Sequence, residues 1–382
     1  MKLYIKGGKV ILDNGVISNK TLVIEDKILS AIIPDNYKAG KNDRVFNATG
    51  KWVIPGLIDL HAHGALGKDA IDGTVDDIKT LGKFFAAHGV TSYLPTIWTS
   101  TQELMTDAVD CIANCPQPWD GARHLGVHIE GPYLNIEHRG AQIKDLIRRP
   151  DPKEYMKWID SGAVRLVTIA PEIAGALEFI DKTITKGVKF SIGHSGASYE
   201  QVIEAADHGL NQATHIFNGM SGLHHREPGT AGGILMDRRI YAQIIADGVH
   251  VHPAIINLTI KVKGISKIIL ISDSIRGTGL LDGYYDNHGQ KFVVRNGIAR
   301  NSAGVLCGST LTLDKAVKNI MKFTGIPLNE ILPMATSVPA EAMGWNDQRG
   351  VLKPGADADV VILDEDFNVL NTFILGNEIY SK

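Results

Sequence analysis

The chain has 382 residues, of which 44% are hydrophobic and 21% charged; this suits one large globular domain with a smaller one and speaks against disordered and membrane classes. A formal net charge of −3 speaks against a nucleic-acid or anionic-membrane partner, which needs a clustered basic surface, while leaving room for a small anionic substrate in a local cationic pocket. With no apolar run of about 18 residues, no basic-then-apolar leader and only Cys111, Cys115 and Cys307 as thiols, the expectation is a cytoplasmic protein without a disulfide framework.

Residues 2–12 and 21–33 carry strand-forming side chains, and Asp13-Asn14-Gly15 between them offers hairpin turn chemistry. The pattern changes across 51–56. From there a short apolar run, a polar loop and a helical stretch recur, with runs at 57–60, 92–94, 125–129, 166–169, 190–192, 241–245 and 268–271. Helix-like stretches lie between them, as at 75–88, 199–207 and 254–263. Strand–helix alternation sustained over roughly 300 residues predicts an α/β fold with a parallel sheet, closed at this length into a (β/α)8 TIM barrel; an open doubly wound sheet is the competitor. Residues 291–294 and 298–300 around Asn296-Gly297 predict a hairpin leaving the last barrel unit. Strands return at 358–363 and 373–380. Both ends therefore read as β, which predicts a small β-sandwich domain from 1–51 and 350–382 and a barrel domain over 52–349.

In the segment PGLIDLHAHG at 55–64, strand alternation aims Asp59, His61 and His63 the same way. Two imidazoles at that spacing can reach one divalent ion. A lone His-x-His is weak, but the apolar run before it and Gly64 after it place the pair at a strand's C-terminal end, where barrel enzymes work. The segment VHIEGP at 127–132 delivers His128 and Glu130 to one face. A carboxylate aimed into a barrel mouth is costly unless it meets a cation, so Glu130 reads as a ligand; a rim salt bridge is the alternative. His128 reads as a residue that orients a ligand. His194 and His215 close further runs at the same kind of position. Any one of these histidines alone would more often be a satisfied core residue; their recurrence at successive strand ends is what points to a metal. Mixed imidazole and carboxylate donors suit zinc, iron or manganese over calcium or magnesium. Asp273 ends the run at 268–271, where it can accept a proton from metal-bound water or serve as a further ligand. The base role is favoured, because the other positions already supply enough ligands.

Together these motifs resemble those of the amidohydrolase superfamily, and within it the N-acetylglucosamine-6-phosphate deacetylases. The likeness spans nearly the whole chain: besides the segments above, it includes HGVTSYLPT at 88–96, APE at 170–172, HHREPG at 224–229, ADGVHVH at 246–252, LCGSTLT at 306–312 and the stretch 354–359. The His-x-His pair and the final aspartate are general to the superfamily, whereas HHREPG and ADGxH are specific to these deacetylases.

The resemblance implies metal-dependent hydrolysis of the acetamide of N-acetyl-D-glucosamine 6-phosphate to D-glucosamine 6-phosphate and acetate. Glu130, His194 and His215 match the ligands of the principal ion. His61 and His63 match the pair present in members with a second metal position, so one or two ions, zinc or iron, are implied. His250 matches the residue that polarises the acetyl carbonyl, and Asp273 the general base and acid. Arg226 matches a phosphate-binding arginine that reaches the neighbouring subunit's site, which implies a homodimer; a solvated pair with Glu227 is the competing reading. Asn218 and Gly219 match a phosphate cradle, and Ala141, Leu306, Cys307 and Gly308 match sugar contacts. The sequence departs from the family where Ser272-Asp273-Ser274-Ile275 replaces Thr-Asp-Ala-Met and where Cys307 replaces an alanine. His252 is an extra imidazole that strand alternation would aim with His250. The alternatives are a deacetylase for the galactosamine isomer and another amidohydrolase such as a nucleobase deaminase, against which the setting of Arg226 speaks. A non-catalytic scaffold would have let its ligand positions decay.

Overall fold

The apolar runs after residue 56 become strands buried on both faces, because each following stretch coils into a helix and lies back against the sheet. The computed structural model describes residues 2–13, 15–37, 39–117 and 120–382. Its barrel strands are β1 (Leu57–Ala62), β2 (Val90–Trp98), β3 (Val127–Glu130), β4 (Val164–Ile169), β5 (Lys189–Ile192), β6 (Gln212–Ala213), β7 (Tyr241–Ile245) and β8 (Ile268–Ile271). One helix follows each: α1 (Val75–Ala87), α2 (Gln102–Asn114), α3 (Pro152–Asp160), α4 (Ala176–Thr183), α5 (Tyr199–Asp207), α6 (Gly229–Met236), α7 (Pro253–Lys263) and α8 (Leu313–Thr324). Thr74, Thr101, Asp151 and Ser198 set helix starts by accepting hydrogen bonds from first-turn N–H groups.

The strands pair in parallel and in chain order. The ring is nearly closed. β8 reaches β1 through a parallel bridge between Ala62 and Ser274 and through Asp273 N–H donating to the His61 carbonyl at 2.9 Å. That contact rules out the open sheet, whose outer strands would not meet. Among the described residues, no helix is long and apolar enough to cross a membrane.

The chain ends build two further sheets. One runs Asn377–Ser381, Val369–Ile374, Val360–Leu363, Trp52–Pro55, Lys9–Leu12, Gly15–Ile17; the other runs Ile28–Pro34, Lys20–Glu25, Leu3–Lys6, Arg44–Asn47. They face each other across one apolar cluster that includes Leu3, Ile5 and Leu22 from one sheet and Val53, Val360 and Phe373 from the other. Pairing with the terminal strands thus continues past residue 51 through Trp52–Pro55.

Three local differences from the sequence reading have simple causes. Residues 2–12 form two strands in different sheets because Gly7 turns the chain with φ 77°. Residues 21–33 fold back as a hairpin through Asp26 and Lys27, both left-handed. The turn read at Asp13-Asn14-Gly15 pairs Lys9–Leu12 with the short Gly15–Ile17 instead of with 21–33; Asn14 itself lies outside the described residues. The hairpin around Asn296-Gly297 forms from Gln290–Arg295 and Ile298–Asn301, and Gly283–Asn287 joins it as a third strand.

One ion pair ties the barrel to the C-terminal segment. Arg123, on a short strand beside β2, sends Nη2 to Asp359 Oδ2 at 2.6 Å and Asp357 Oδ2 at 2.9 Å. Asp359 is buried, and burial raises its carboxyl against the pull of Arg123. Arg123→Met, which strands that carboxylate, should cost about 3–5 kcal/mol in a urea titration at neutral pH. The loss should shrink as pH falls, and be smallest well below about 4, where the carboxyl is protonated in both states. An unchanged midpoint at pH 7 would show that the pair does not hold the segment.

Candidate metal and substrate site

At the C-terminal mouth of the barrel, two groups of donor atoms converge: Glu130, His194 and His215, and His61, His63 and Asp273, all six residues buried, with the atoms of each group within 4.8 Å of one another. Glu130 lies between the groups. Its Oε1 is 2.9 Å from His215 Nε2 and 3.2 Å from His194 Nε2, and its Oε2 is 3.4 Å from His63 Nε2. Asp273 Oδ1 lies 3.3 Å from the Nε2 atoms of both His61 and His63.

The backbone that aims these groups is unusual. His194 (φ 48°), His215 (φ 30°) and Asp273 (φ 48°) all sit in the left-handed region, which side chains other than glycine adopt only where surroundings hold them there. Each lies just past its strand end, so a sharp turn, not strand alternation, throws the side chain inward. The rings are also fixed from behind. His194 Nδ1–H donates to the His138 carbonyl and His63 Nδ1–H to the Thr96 carbonyl, both at 3.0 Å, which leaves Nε2 as the donor facing the site. His61 Nδ1 and His215 Nδ1 are buried without a hydrogen-bond partner among the described residues.

Electrostatics agree with a cation site. Burial pushes the Glu130 carboxyl up, but His61, His194, His215 and His63 outweigh it and hold the group well below the usual carboxylate range. Burial likewise works against Asp273, and His61 and His63 hold it low. Burial pulls His61 down to about 4, whereas Asp273 and Glu130 overcome burial at His63 and hold it well above the ordinary value. Two ionised carboxylates among imidazoles, enclosed and aimed at one point, form a donor set that fits a divalent transition metal. Asp59 stands apart: burial lifts it to about 7, and it accepts from the backbone N–H groups of His61 and Ser272. His128 also stays out of the donor groups. It is buried and held well below its ordinary value by that burial, bonds Thr168 and Thr96 at 2.8 and 3.3 Å, and packs edge-on against His61.

A cavity of about 340 Å³ opens over the donor groups, lined among others by Ala141, Asn218, Gly219, Leu306, Cys307 and Gly308. Cys307 is buried, which pushes its thiol up to about 11 and keeps it neutral. His250 also lines this cavity, in the loop after β7, with Nδ1 held by Asp247 Oδ2 at 2.6 Å. His252 does not share its direction, because the segment is a bend, not a strand; the His252 side chain is exposed and caps α7 by accepting from Ala254 N. Arg226 is exposed outside the cavity lining of its own chain, its Nη1 2.9 Å from His225 Nε2. Among the described residues it makes no ion pair with Glu227.

Two functional partners carry no sequence signal. Gln142, from the loop after β3, donates to Glu130 Oε2 at 2.8 Å while its Oε1 accepts from Thr99 N. Asp69 reaches the cavity wall, where it accepts from Asn287 Nδ2 at 2.7 Å and burial raises its carboxyl to about 6.

The profile of the amidohydrolase family matches residues 52–379. The chain belongs to the amidohydrolase family. Relatives include the N-acetylglucosamine-6-phosphate deacetylase of Vibrio furnissii, 37% identical over 86% of this chain and 83% of that protein. The N-acetylgalactosamine-6-phosphate deacetylase of Escherichia coli O157:H7 is 35% identical over 98% of this chain and 99% of that protein. The crystal structure of N-acetylglucosamine-6-phosphate deacetylase from Pasteurella multocida superposes with a TM-score of 0.95 at 32% identity, covering 100% of both chains. Membership in this family, with relatives named as deacetylases, makes the chain an enzyme of the amidohydrolase type.

Glu130→Gln keeps the shape of the central carboxylate and removes its charge. Metal affinity should fall by more than about 100-fold, since even changes behind a ligand cost 10–100-fold. Elemental analysis after dialysis, with circular dichroism to confirm folding, checks this, and full metal retention would refute the ligand role of Glu130.

Proposed function

We propose that this enzyme hydrolyses the acetamide of N-acetyl-D-glucosamine 6-phosphate to D-glucosamine 6-phosphate and acetate, in amino-sugar catabolism. The observation that carries this reading is one cavity holding both donor groups, Asp273 and an Asp247-braced His250, in a chain whose relatives include named deacetylases of amino-sugar phosphates. When bound, a divalent ion at such a site lowers the pKa of water and polarises a carbonyl. Glu130, His194 and His215 hold the principal ion, zinc or iron; His61 and His63 give room for a second.

Asp273 takes the proton of the attacking water and returns it to the departing amine. His250 presents its free ring nitrogen to the acetyl oxygen as charge develops there. Asn218 and Gly219 receive the phosphate, while Ala141, Leu306, Cys307 and Gly308 contact the sugar.

Arg226 completes the phosphate site of a second copy. Its exposure outside its own cavity supports this, as do exposed apolar side chains on neighbouring elements: Ile255, Leu258 and Val262 on α7, Met236 at the end of α6, which packs on α7, and Leu223 three residues before Arg226. A homodimer covers that surface. Segments 1–51 and 350–382 form a small domain beside the catalytic one at 52–349. Three free thiols support a cytoplasmic location. The galactosamine isomer is a second reading, supported by one relative over nearly the whole chain that is named for that epimer, although a relative named for the glucosamine compound has similar coverage.

Incubation of the metal-loaded protein with each epimer and detection of acetate and free amine tests the assignment; no release from the glucosamine compound overturns it. In the same assay Asp273→Asn should lower kcat by about 100-fold or more while the Glu130 group still binds metal. Near-parental turnover would remove Asp273 from the base role. Arg226→Ala should raise KM for the phosphorylated sugar with little change in kcat. An equal effect on the unphosphorylated analogue would contradict a phosphate contact.

A further inference from the structure

Seven of the eight barrel strands put a side chain into the cavity or its donor groups, at or just beyond their ends, and β4 does not. Just past β4 stands Glu172, half-buried, whose carboxylate draws together loops that each lead to the site. Its Oε1 accepts from Gly196 N at 2.6 Å and from Asn135 Nδ2 at 2.9 Å, and its Oε2 accepts from Ser195 Oγ at 2.8 Å. All three donors are neutral, and among the described residues Glu172 makes no ion pair. A charged acceptor bonded only to backbone and neutral side chains serves to arrange them.

What it arranges is His194. Ser195 and Gly196 follow that residue directly. Asn135 N–H donates to the His194 carbonyl at 2.9 Å, and Asn135 Oδ1 caps the turn Ile136–His138 by accepting from Glu137 N at 2.9 Å. The carbonyl at the end of that turn, on His138, is the one that receives His194 Nδ1–H. Glu172 therefore grips the peptide after His194 and, through Asn135, both its carbonyl and its ring. A residue at φ 48° needs such support. The grip extends further: Ser195 N donates to the Gly219 carbonyl at 3.0 Å and Ser221 N to the Ser195 carbonyl at 3.1 Å, so the loop bearing Asn218 and Gly219 hangs on the same residue.

We propose that Glu172 is a positioning residue that fixes the imidazole of His194 against Glu130 and thereby sets the affinity of that donor group for its divalent ion, with the Asn218–Gly219 loop as a second dependant. This rests on the reading of His194 as a ligand.

The test uses the full chain, stripped of metal, with zinc affinity read by competition against a chromophoric chelator and with kcat and KM measured on reloaded protein. Glu172→Ala should weaken zinc binding by about 10- to 100-fold and raise KM. Glu172→Gln should restore most of both, because its oxygen can take Asn135 and Gly196 while its amide donates to Ser195 Oγ. A merely structural staple would lower the melting temperature and leave zinc affinity at the parental value, and that result overturns the proposal. Should Glu172→Ala not fold, Ser195→Ala, which deletes one of the three donors, decides between the same two outcomes. His194→Gln is the control: if it too binds zinc like the parent, the fault lies with the ligand reading and not with Glu172.

Discussion

A carboxylate shut away from water at the mouth of a barrel must be met by positive charge, and Glu130 is where this protein meets that constraint. It lies between two donor groups, with four imidazole nitrogens around its two oxygens. Each of those rings then needs a fixed direction. The carbonyls of His138 and Thr96 supply it for His194 and His63, and Gln142 steadies the carboxylate itself. The loops after the strands are thus not free to vary independently. Each holds a piece of an arrangement centred on one charge, as barrel enzymes arrange their chemistry at strand C-termini.

The parts of this arrangement that follow from a short repeat were legible in the sequence. Apolar runs alternating with helical stretches gave the barrel, because strands buried on both faces read as mainly apolar runs and not as apolar-polar alternation. Glu130, His61 and His63 stood out because they lie on or next to strands, where alternation holds. His194, His215 and Asp273 were located by their place after a run, but their inward direction comes from left-handed turns that no periodicity encodes. The same limit explains His252. Its spacing from His250 suggested a shared face, yet the segment is a bend and the ring caps a helix. Gln142 and Asp69 were illegible for another reason: their partners, Glu130 and Thr99 for the one and Asn287 for the other, are distant in the chain and share no motif with them. The break at Gly7 was missed because it separates two sheets that the sequence presents as one run.

The protein's two ends are joined differently. Trp52–Pro55 lies between Lys9–Leu12 on one side and Val360–Leu363 on the other, so its second neighbour emerges from the ribosome only after the whole barrel. Until then one edge of that strand carries unpaired N–H and C=O groups, the kind of surface that recruits other chains. Most of the barrel can assemble during synthesis, since neighbouring strands are consecutive in the chain. The terminal sheet cannot. Its completion is therefore a late, long-range step, and the nascent chain is exposed to edge-to-edge association for most of the time that it is being made.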